Sequence, residues 1–578
     1  RKTVSEFVIN YESCPPAFKI QVSTDGVNYQ DVYEAADLPD GGPSEIKEIQ
    51  IEATKARYVK YVQLKRWTHT NKNKYSGSIY EFEVYKERDH TVTTADEVLK
   101  SLNKEAPQIN GNKIVLPAVP DGFEISLYGC DNKQVVAMDG TITRPLEDMD
   151  INVLYQVKNL NDETDIAYSE ADINFIVPGA YNKEESINAK PNVMPGLREW
   201  KGNEGEFTLS KNSKIVVKDA SLEATAKQIQ FYLKEMIKHE LEIVTSGEKS
   251  GDIVLVKDGS VDNLGKEGYT LAIDDMIEIK SNYETGILYG GISITQMFSQ
   301  NDGMNNVAKG LARDYPKYEV RAGMLDVART YIPMEYLQEM TIYMAYYKLN
   351  EVQVHVNDYW GATGYSAFRL ECDTYPMITA TDGSYTKEEY RQYQIDMKNY
   401  GINVITEIDT PYHAECFRNV PGVKMLKAGA LDIREQSSYD VIEAVLDEYL
   451  DGPNPVIQSD KFHIGTDEYD KSYSEQMRKW TDHFINYVND KGYDTRLWGS
   501  LGSRGFNGTA PVSNDATVNL WAPYWADVKE TYNAGYDIIN TCGGWLYIVP
   551  GANAGYPDRL DIASLYDKFC LLYTSDAA

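Results

Sequence analysis

The stretch KFHIGTDEY (461–469) runs as an apolar strand to Gly465 and then sets two adjacent acids, Asp467 and Glu468, where the strand gives way to a loop. A strand sends successive side chains to opposite faces, so neighbouring acids share one cavity only where the strand has ended and the chain is turning. Outward from this stretch, residues 320–541 alternate short apolar strands with amphipathic helical segments, the pattern of a parallel sheet built from repeated strand-helix units. The strands read as AGMLDVA (322–328), EVQVHV (351–356), INVITEI (402–408), KFHIG (461–465), TRLWGS (495–500), TVNLW (517–521) and YDIINT (536–541). Seven such units in one run point to a (β/α)8 TIM barrel rather than an open sheet, and that fold carries its reacting groups at the C-terminal ends of the strands.

Polar residues gather at those ends, where an aliphatic barrel core would not require them. Asp326 and Arg329 follow the first strand, His355 and Asp358 the second, and Glu407, Asp409 and His413 the third. The fourth gives His463, Asp467 and Glu468, while Trp498, Trp521, Trp545 and Tyr547 mark the later ends. Singly, each has a bland account. A lone inward His or Asp is more often part of a satisfied core network, a lone Trp is more often packing, and Asp-Glu pairs are common in a chain with 88 acids and 57 bases. Joint occurrence at four consecutive strand ends is what that account explains poorly. A carboxylate pair suits the breaking of a glycosidic bond, which needs one group to give a proton and another to stabilise positive charge.

These segments resemble glycoside hydrolase family 20, the β-N-acetylhexosaminidases and lacto-N-biosidases. The family pattern Arg-Gly-x-x-x-Asp-x-x-Arg is met by RAGMLDVAR (321–329), and K-x-N-x-x-x-x-H-x-x-D by KLNEVQVHVND (348–358). E-x-D-x-P-G-H is met by EIDTPYH (407–413) and H-x-G-G-D-E by HIGTDE (463–468), with the likeness running over about residues 188–560. Two positions depart from it. Tyr412 replaces the glycine before the histidine and Thr466 the glycine before the acidic pair, so both bring a side chain to the rim of the pocket.

The resemblance implies substrate-assisted, retaining hydrolysis through an oxazolinium intermediate. It makes Glu468 the general acid and base, gives Asp467 the N–H of the substrate's own 2-acetamido group, and has Tyr547 hydrogen-bond the acetamido oxygen. Asp358 and His413 would support the acid. Arg329, His355 and Asp409 would bind the sugar, and Trp498, Trp521 and Trp545 would box the acetamido methyl and the sugar face. Three readings follow: an exo-acting enzyme releasing single terminal GlcNAc or GalNAc, a lacto-N-biosidase releasing a disaccharide, and a glycan-binding surface protein with an inactive barrel. The intact Asp467, Glu468 and Tyr547 weigh against the third. After YDIINT the family barrel needs an eighth strand and helix, whereas the closing residues CLLYTSDAA (570–578) read as foreign to such a strand, so the barrel is expected to be incomplete at its C-terminal end.

The rest of the chain divides by pattern. Residues 188–315 read as a smaller α/β domain, with KIVVK and DIVLVK as strands and EATAKQIQFYLKEMIKH as an amphipathic helix. Residues 1–88 show short strands separated by Asp-Gly and Asn turn signals, typical of a β-sandwich, and look like part of a discoidin fold. Arg66, Trp67 and Tyr75 there could stack on sugar, although ordinary surface placement accounts for them as well. Residues 94–180 read as an immunoglobulin-like β spacer, and residues 319–578 as the barrel. A length of 578 residues suits about four domains.

The formal net charge of −31 argues against nucleic acid or an anionic membrane surface as a partner, and a neutral glycan fits better. Six scattered cysteines indicate neither a disulfide framework nor a metal site, and no cofactor is expected. No apolar run reaches the length of a membrane span. An extracellular or cell-surface bacterial location is expected from the modular architecture alone.

Overall fold

The computed structural model describes residues 2–36, 38, 45–68, 74–86, 94–170, 172–500 and 507–569. Cys570 and the closing segment 570–578 lie outside these, as does the side chain of Trp67. The chain forms two compact units, one of residues 1–105, 117–126 and 155–170, the other of residues 106–116, 127–154 and 171–578. Among the described residues no helix is long and apolar enough to cross a membrane.

The first unit is built on two antiparallel three-stranded sheets. Lys2–Ser13 lies between Glu45–Ala56 and Ser78–Tyr85, and Ala17–Ser23 lies between Gln30–Ala35 and Tyr58–Lys65. Alternation places Phe7, Ile9 and Tyr11 of one central strand against Phe18, Ile20 and Val22 of the other, and these side chains form the sandwich core. The helix Ala95–Ser101 of this unit starts in a capping box made by Thr94 and Glu97.

The second unit holds a small α/β domain and the barrel. The small domain is a mixed seven-stranded sheet in the order 199–208, 306–314, 269–273, 277–281, 253–257, 214–217 and 242–244. The helices Glu223–Ile237 and Glu284–Ser299 pack on it and on each other. The run ILYGGIS owes its two glycines to this packing: a Cβ on Gly290 would lie 2.3 Å from Ile279, and one on Gly291 2.4 Å from Ile229. Where the domain meets the barrel, the ammonium of Lys348 is buried and donates to Tyr269 Oη at 3.1 Å, Ser293 Oγ at 2.7 Å and Asp314 Oδ2 at 3.0 Å.

The barrel sheet has seven parallel strands in chain order: Ala322–Asp326, Glu351–His355, Asn403–Thr410, Lys461–Gly465, Asp494–Trp498, Thr517–Leu520 and Asp537–Asn540. They coincide to within a few residues with the seven read from the sequence, and the first and seventh form the two edges of a curled sheet. Val352, Val354 and Val404 face outward into an apolar layer with Leu337, Tyr393, Val441 and Trp480 of the surrounding helices. The opposite face is polar and stacked in levels. At the lowest, Glu351 takes two bonds from Arg496 at 2.6 and 3.0 Å and one from Lys461 at 2.7 Å. One level up, Gln353 bonds Glu407 and accepts from Asn519 at 3.1 Å. His355 begins the third level, at the strand ends.

Candidate active site

Register brings the floor of the site together. Glu407 on the third strand pairs with His355 of the second and His463 of the fourth. It accepts hydrogen bonds from Trp498 Nε1 at 2.6 Å and Gln353 Nε2 at 2.7 Å, and faces His355 Nδ1 at 3.0 Å. Burial, the largest single influence, would push this carboxyl up, but the His355 and His463 charges and the hydrogen bonds from His355 and Gln353 together outweigh it and hold Glu407 at about 2. His463 has the opposite fate: burial takes its proton and lowers it to about 4.

Above the floor, Asp358 collects three side-chain donors, His355 Nε2 at 2.6 Å, His413 Nδ1 at 2.8 Å and Arg329 Nη2 at 2.7 Å, and the backbone N–H of Tyr359. Arg329 is braced in turn by Asp326 at 2.7 Å. The other nitrogen of His413 reaches Glu468 Oε2 at 3.2 Å and stands 3.8 Å from Asp467 Oδ2. The result is a continuous line from Asp358 through His413 to Glu468, whose own side chain stays 40% exposed at the mouth. Burial opposes charge on both imidazoles. Glu407 and Asp358 nevertheless hold His355 well above the usual histidine range, and Asp358, Asp467 and Asp409 do the same for His413.

Two acids form the side of the pocket below Glu468. Oδ1 of Asp409 and Oδ1 of Asp467 are both buried without a hydrogen-bond partner among the described residues. Burial pushes Asp467 up to about 6, with His413 opposing and Glu468 adding to it. Burial and then the Asp467 charge push Asp409 well above its ordinary value.

The turns that aim these groups use uncommon backbone. His413, Thr466 and Glu468 have φ of +58°, +80° and +48°, a region worth on the order of 1–3 kcal/mol of strain for a residue with a side chain. A Cβ on Gly465 would lie 1.8 Å from Asp409 Oδ1, so only glycine lets the third and fourth strand ends close up.

An apolar wall stands beside the acids. Trp498, Trp521 and Ala522 form a buried cluster, with Trp525 and Tyr547 packed against it. The rings of Trp521 and Trp525 are 6.2 Å apart and nearly parallel at 27°. Tyr547 rests on Tyr556 at 5.0 Å. Burial and then the nearby Asp467 charge hold its phenol well above the ordinary range, so it remains a donor.

Of the residues singled out in the sequence, Arg329, His355, Asp358, Asp409, His413, Asp467 and Glu468 thus meet in one network, and Trp498, Trp521 and Tyr547 in the adjoining wall. Trp545 is not among them: its ring packs at 6.0 Å on Phe569, and Trp525 takes a place in the wall instead. Sequence reading also passed over Gln353, whose signal was a polar residue alternating in phase with Glu351 and His355 on an otherwise apolar strand.

Asp326 with His355 and Asp358, His355 with Glu407 and Asp409, and Asp409 with His413 and Asp467 each bring donor atoms within 4.8 Å of one another, close enough to share a cation. Their charges are already answered from within by Arg329, His355 and His413.

Residues 190–315 match glycosyl hydrolase family 20, domain 2, and residues 318–481 match the glycosyl hydrolase family 20 catalytic domain. The chain belongs to this family. The catalytic-domain match ends before the tryptophan wall, which is supplied by the later strands. Among curated relatives, the lacto-N-biosidase of Bifidobacterium bifidum is 25% identical over 394 residues, 62% of this chain and 34% of that protein. The β-hexosaminidase of Vibrio furnissii is 27% identical over 422 residues, 63% of this chain and 64% of that one. The chain therefore spans from a third to just under two thirds of the length of these relatives. In fold it is similar to the family 20 β-N-acetylhexosaminidase of Streptomyces coelicolor, with a TM-score of 0.54 at 20% identity, covering 64% of this chain and 80% of that one.

Proposed function

We propose that the protein is a retaining exo-glycosidase that removes terminal β-linked N-acetylhexosamine from glycans, using the substrate's acetamido group as the nucleophile. The observation that carries this reading is the bonded line Asp358–His413–Glu468 beside a second, buried acid with an open acceptor atom. Glu468, at the mouth, protonates the leaving oxygen as the anomeric C–O bond breaks. The acetamido oxygen forms the new bond to the anomeric carbon, and its N–H points at the free Oδ1 of Asp467. The ring so formed is cationic, and the Asp467 carboxylate offsets that charge. Tyr547 donates to the acetamido oxygen, while the indoles of Trp498 and Trp521 cover the methyl. Glu468 then takes a proton from water, which opens the ring and restores the β configuration. Arg329, fixed by Asp326 and Asp358, presents its remaining donors to ring hydroxyls. Release of a disaccharide is the second reading, favoured by the likeness to the Bifidobacterium lacto-N-biosidase.

Glu468→Gln tests the reading. Turnover of an N,N′-diacetylchitobiose-type substrate is expected to fall by on the order of 10²–10⁴ while binding persists, because the amide keeps the shape and cannot give a proton. Undiminished turnover would end the assignment. Product analysis on a type 1 milk tetrasaccharide separates single-sugar from disaccharide release.

A further inference from the structure

The family 20 pattern has glycine where this chain has Tyr412, and the structure builds a surface on that tyrosine. Residues Met425–Lys427 and Ala430–Leu431 form a small hairpin beside the acid. It is clamped on both sides of the catalytic turn. Ala414 N donates to Gly429 O and Leu431 N to Pro411 O, each at 2.9 Å, and Tyr469, the residue after Glu468, donates its hydroxyl to Leu431 O at 2.6 Å. The turn of the hairpin is gripped by two rings: a Cβ on Gly429 would lie 2.5 Å from Tyr359 and 3.2 Å from Tyr412. The Tyr412 ring sits 4.6 Å from that of His413, the imidazole bonded to Glu468, and feels the Glu468 charge.

Over the same ring, 5.3 Å from its centroid, stands the ammonium of Lys427. This lysine is exposed and its charge is felt by Asp470, but among the described residues it makes no ion pair, whereas Lys424, just before the hairpin, is held by Glu435 at 3.0 Å. The tryptophan wall comes from the fifth, sixth and seventh strands and the hairpin from the loop after the third, so the two stand on different sides of Glu468. A sugar whose acetamide lies against the tryptophans would extend its aglycone past Glu468 toward Tyr412 and Lys427.

We propose that Tyr412, Tyr359 and the hairpin Met425–Leu431 form a leaving-group site selecting glycans whose leaving sugar carries an acidic substituent, a carboxylate or a sulfate, with Lys427 as the recognising cation. This rests on the hexosaminidase reading above. In a chain of net charge −31, a lysine held over an aromatic face at the mouth of an acid-lined pocket, and within ion-pair distance of no carboxylate among the described residues, sets a positive charge beside the acids. It gives an anionic substituent a partner, while the ring offers apolar contact to the sugar body.

The experiment compares three substrates with the same terminal N-acetylglucosamine on glucuronic acid, on a 6-sulfated hexose and on neutral glucose. The readout is the ratio of kcat/KM, acidic over neutral, within each variant, so that a general loss of activity cancels. Wild type is expected to favour at least one acidic substrate by about fivefold, the upper reach of a solvent-exposed ion pair. That preference should disappear in Lys427→Gln, survive in Lys427→Arg and shrink in 0.5 M NaCl. Which acidic substrate is preferred identifies carboxylate or sulfate. A ratio near one in wild type, or one unchanged in Lys427→Gln, overturns the proposal while leaving the hexosaminidase reading intact. If none of the three is hydrolysed, the activity reading fails on its own, and calorimetric affinities of the Glu468→Gln protein for the same sugars decide the leaving-group site by the same ratio.

Discussion

Replacing Asp467 with Asn removes an ionisation that folding works against. Burial lifts this carboxyl from 3.8 to about 6, so the folded chain holds the proton more tightly than the unfolded one. Stability therefore falls as pH rises from about 4 through 6, and the full cost stands above 6. The displacement corresponds to roughly 3 kcal/mol. Asp467→Asn should thus be more stable than wild type by about 2–3 kcal/mol at pH 8, an advantage shrinking to about 0.5 kcal/mol at pH 4. Urea titrations of both proteins at the two pH values read this directly. The same substitution should remove turnover, since an amide cannot offset the charge of the cyclised intermediate, and wild-type kcat/KM should decline below pH about 6 as Asp467 takes up its proton. A variant less stable than wild type at pH 8, or a wild-type profile level from pH 7 to 5, would refute the reasoning.

Thr466, a β-branched residue at φ +80° whose buried hydroxyl has no hydrogen-bond partner among the described residues, is the other built-in cost beside the acids. Thr466→Gly is expected to stabilise the protein by about 0.5–1 kcal/mol after the extra freedom of the unfolded glycine is counted, measured as a shift in urea midpoint. Glu351→Ala should cost about 3–5 kcal/mol, because Arg496, only 4% exposed, loses both of its bonds to the carboxylate; an unchanged midpoint would mean that the lowest level of the barrel interior is wet.

The barrel was legible because its signal is periodic. Each of the seven strands is a short apolar run bounded by turn or helix residues, and polar residues breaking the run at its end, such as His355 or Asp467, had to face the strand-end cavity. The helix from Glu223 was equally plain, though it stops at Ile237, where Lys238 turns left-handed at φ +62°. What stayed hidden lies in segments without a period. The strands Asn357–Trp360 and Tyr365–Phe368 and the hairpin at Met425–Leu431 are too short to alternate visibly. Trp525 and Trp545 occupy connections whose direction only the folded chain decides, so the packing of Trp525 on the Trp498–Trp521 cluster and of Trp545 on Phe569 stayed hidden. The upward shift of Asp409 was invisible as well, because it comes from burial and from an acid 58 residues away in the chain.

The buried ammonium of Lys348 bears on how such a protein can be taken apart. Its partners Tyr269, Ser293 and Asp314 all belong to the small domain, while the lysine itself opens the second strand-helix unit of the barrel. Tyr346, at the end of the preceding helix, is likewise part of the small domain's apolar core. A cut at Pro316 would leave one fragment with a carboxylate stripped of its counter-charge, though still bonded by Tyr269 and Arg198, and the other with an orphaned ammonium and an uncovered aromatic ring. The boundary that the sequence draws between two domains is therefore no seam for recombination: a graft that exchanges the barrel must carry residues 190–315 along with it.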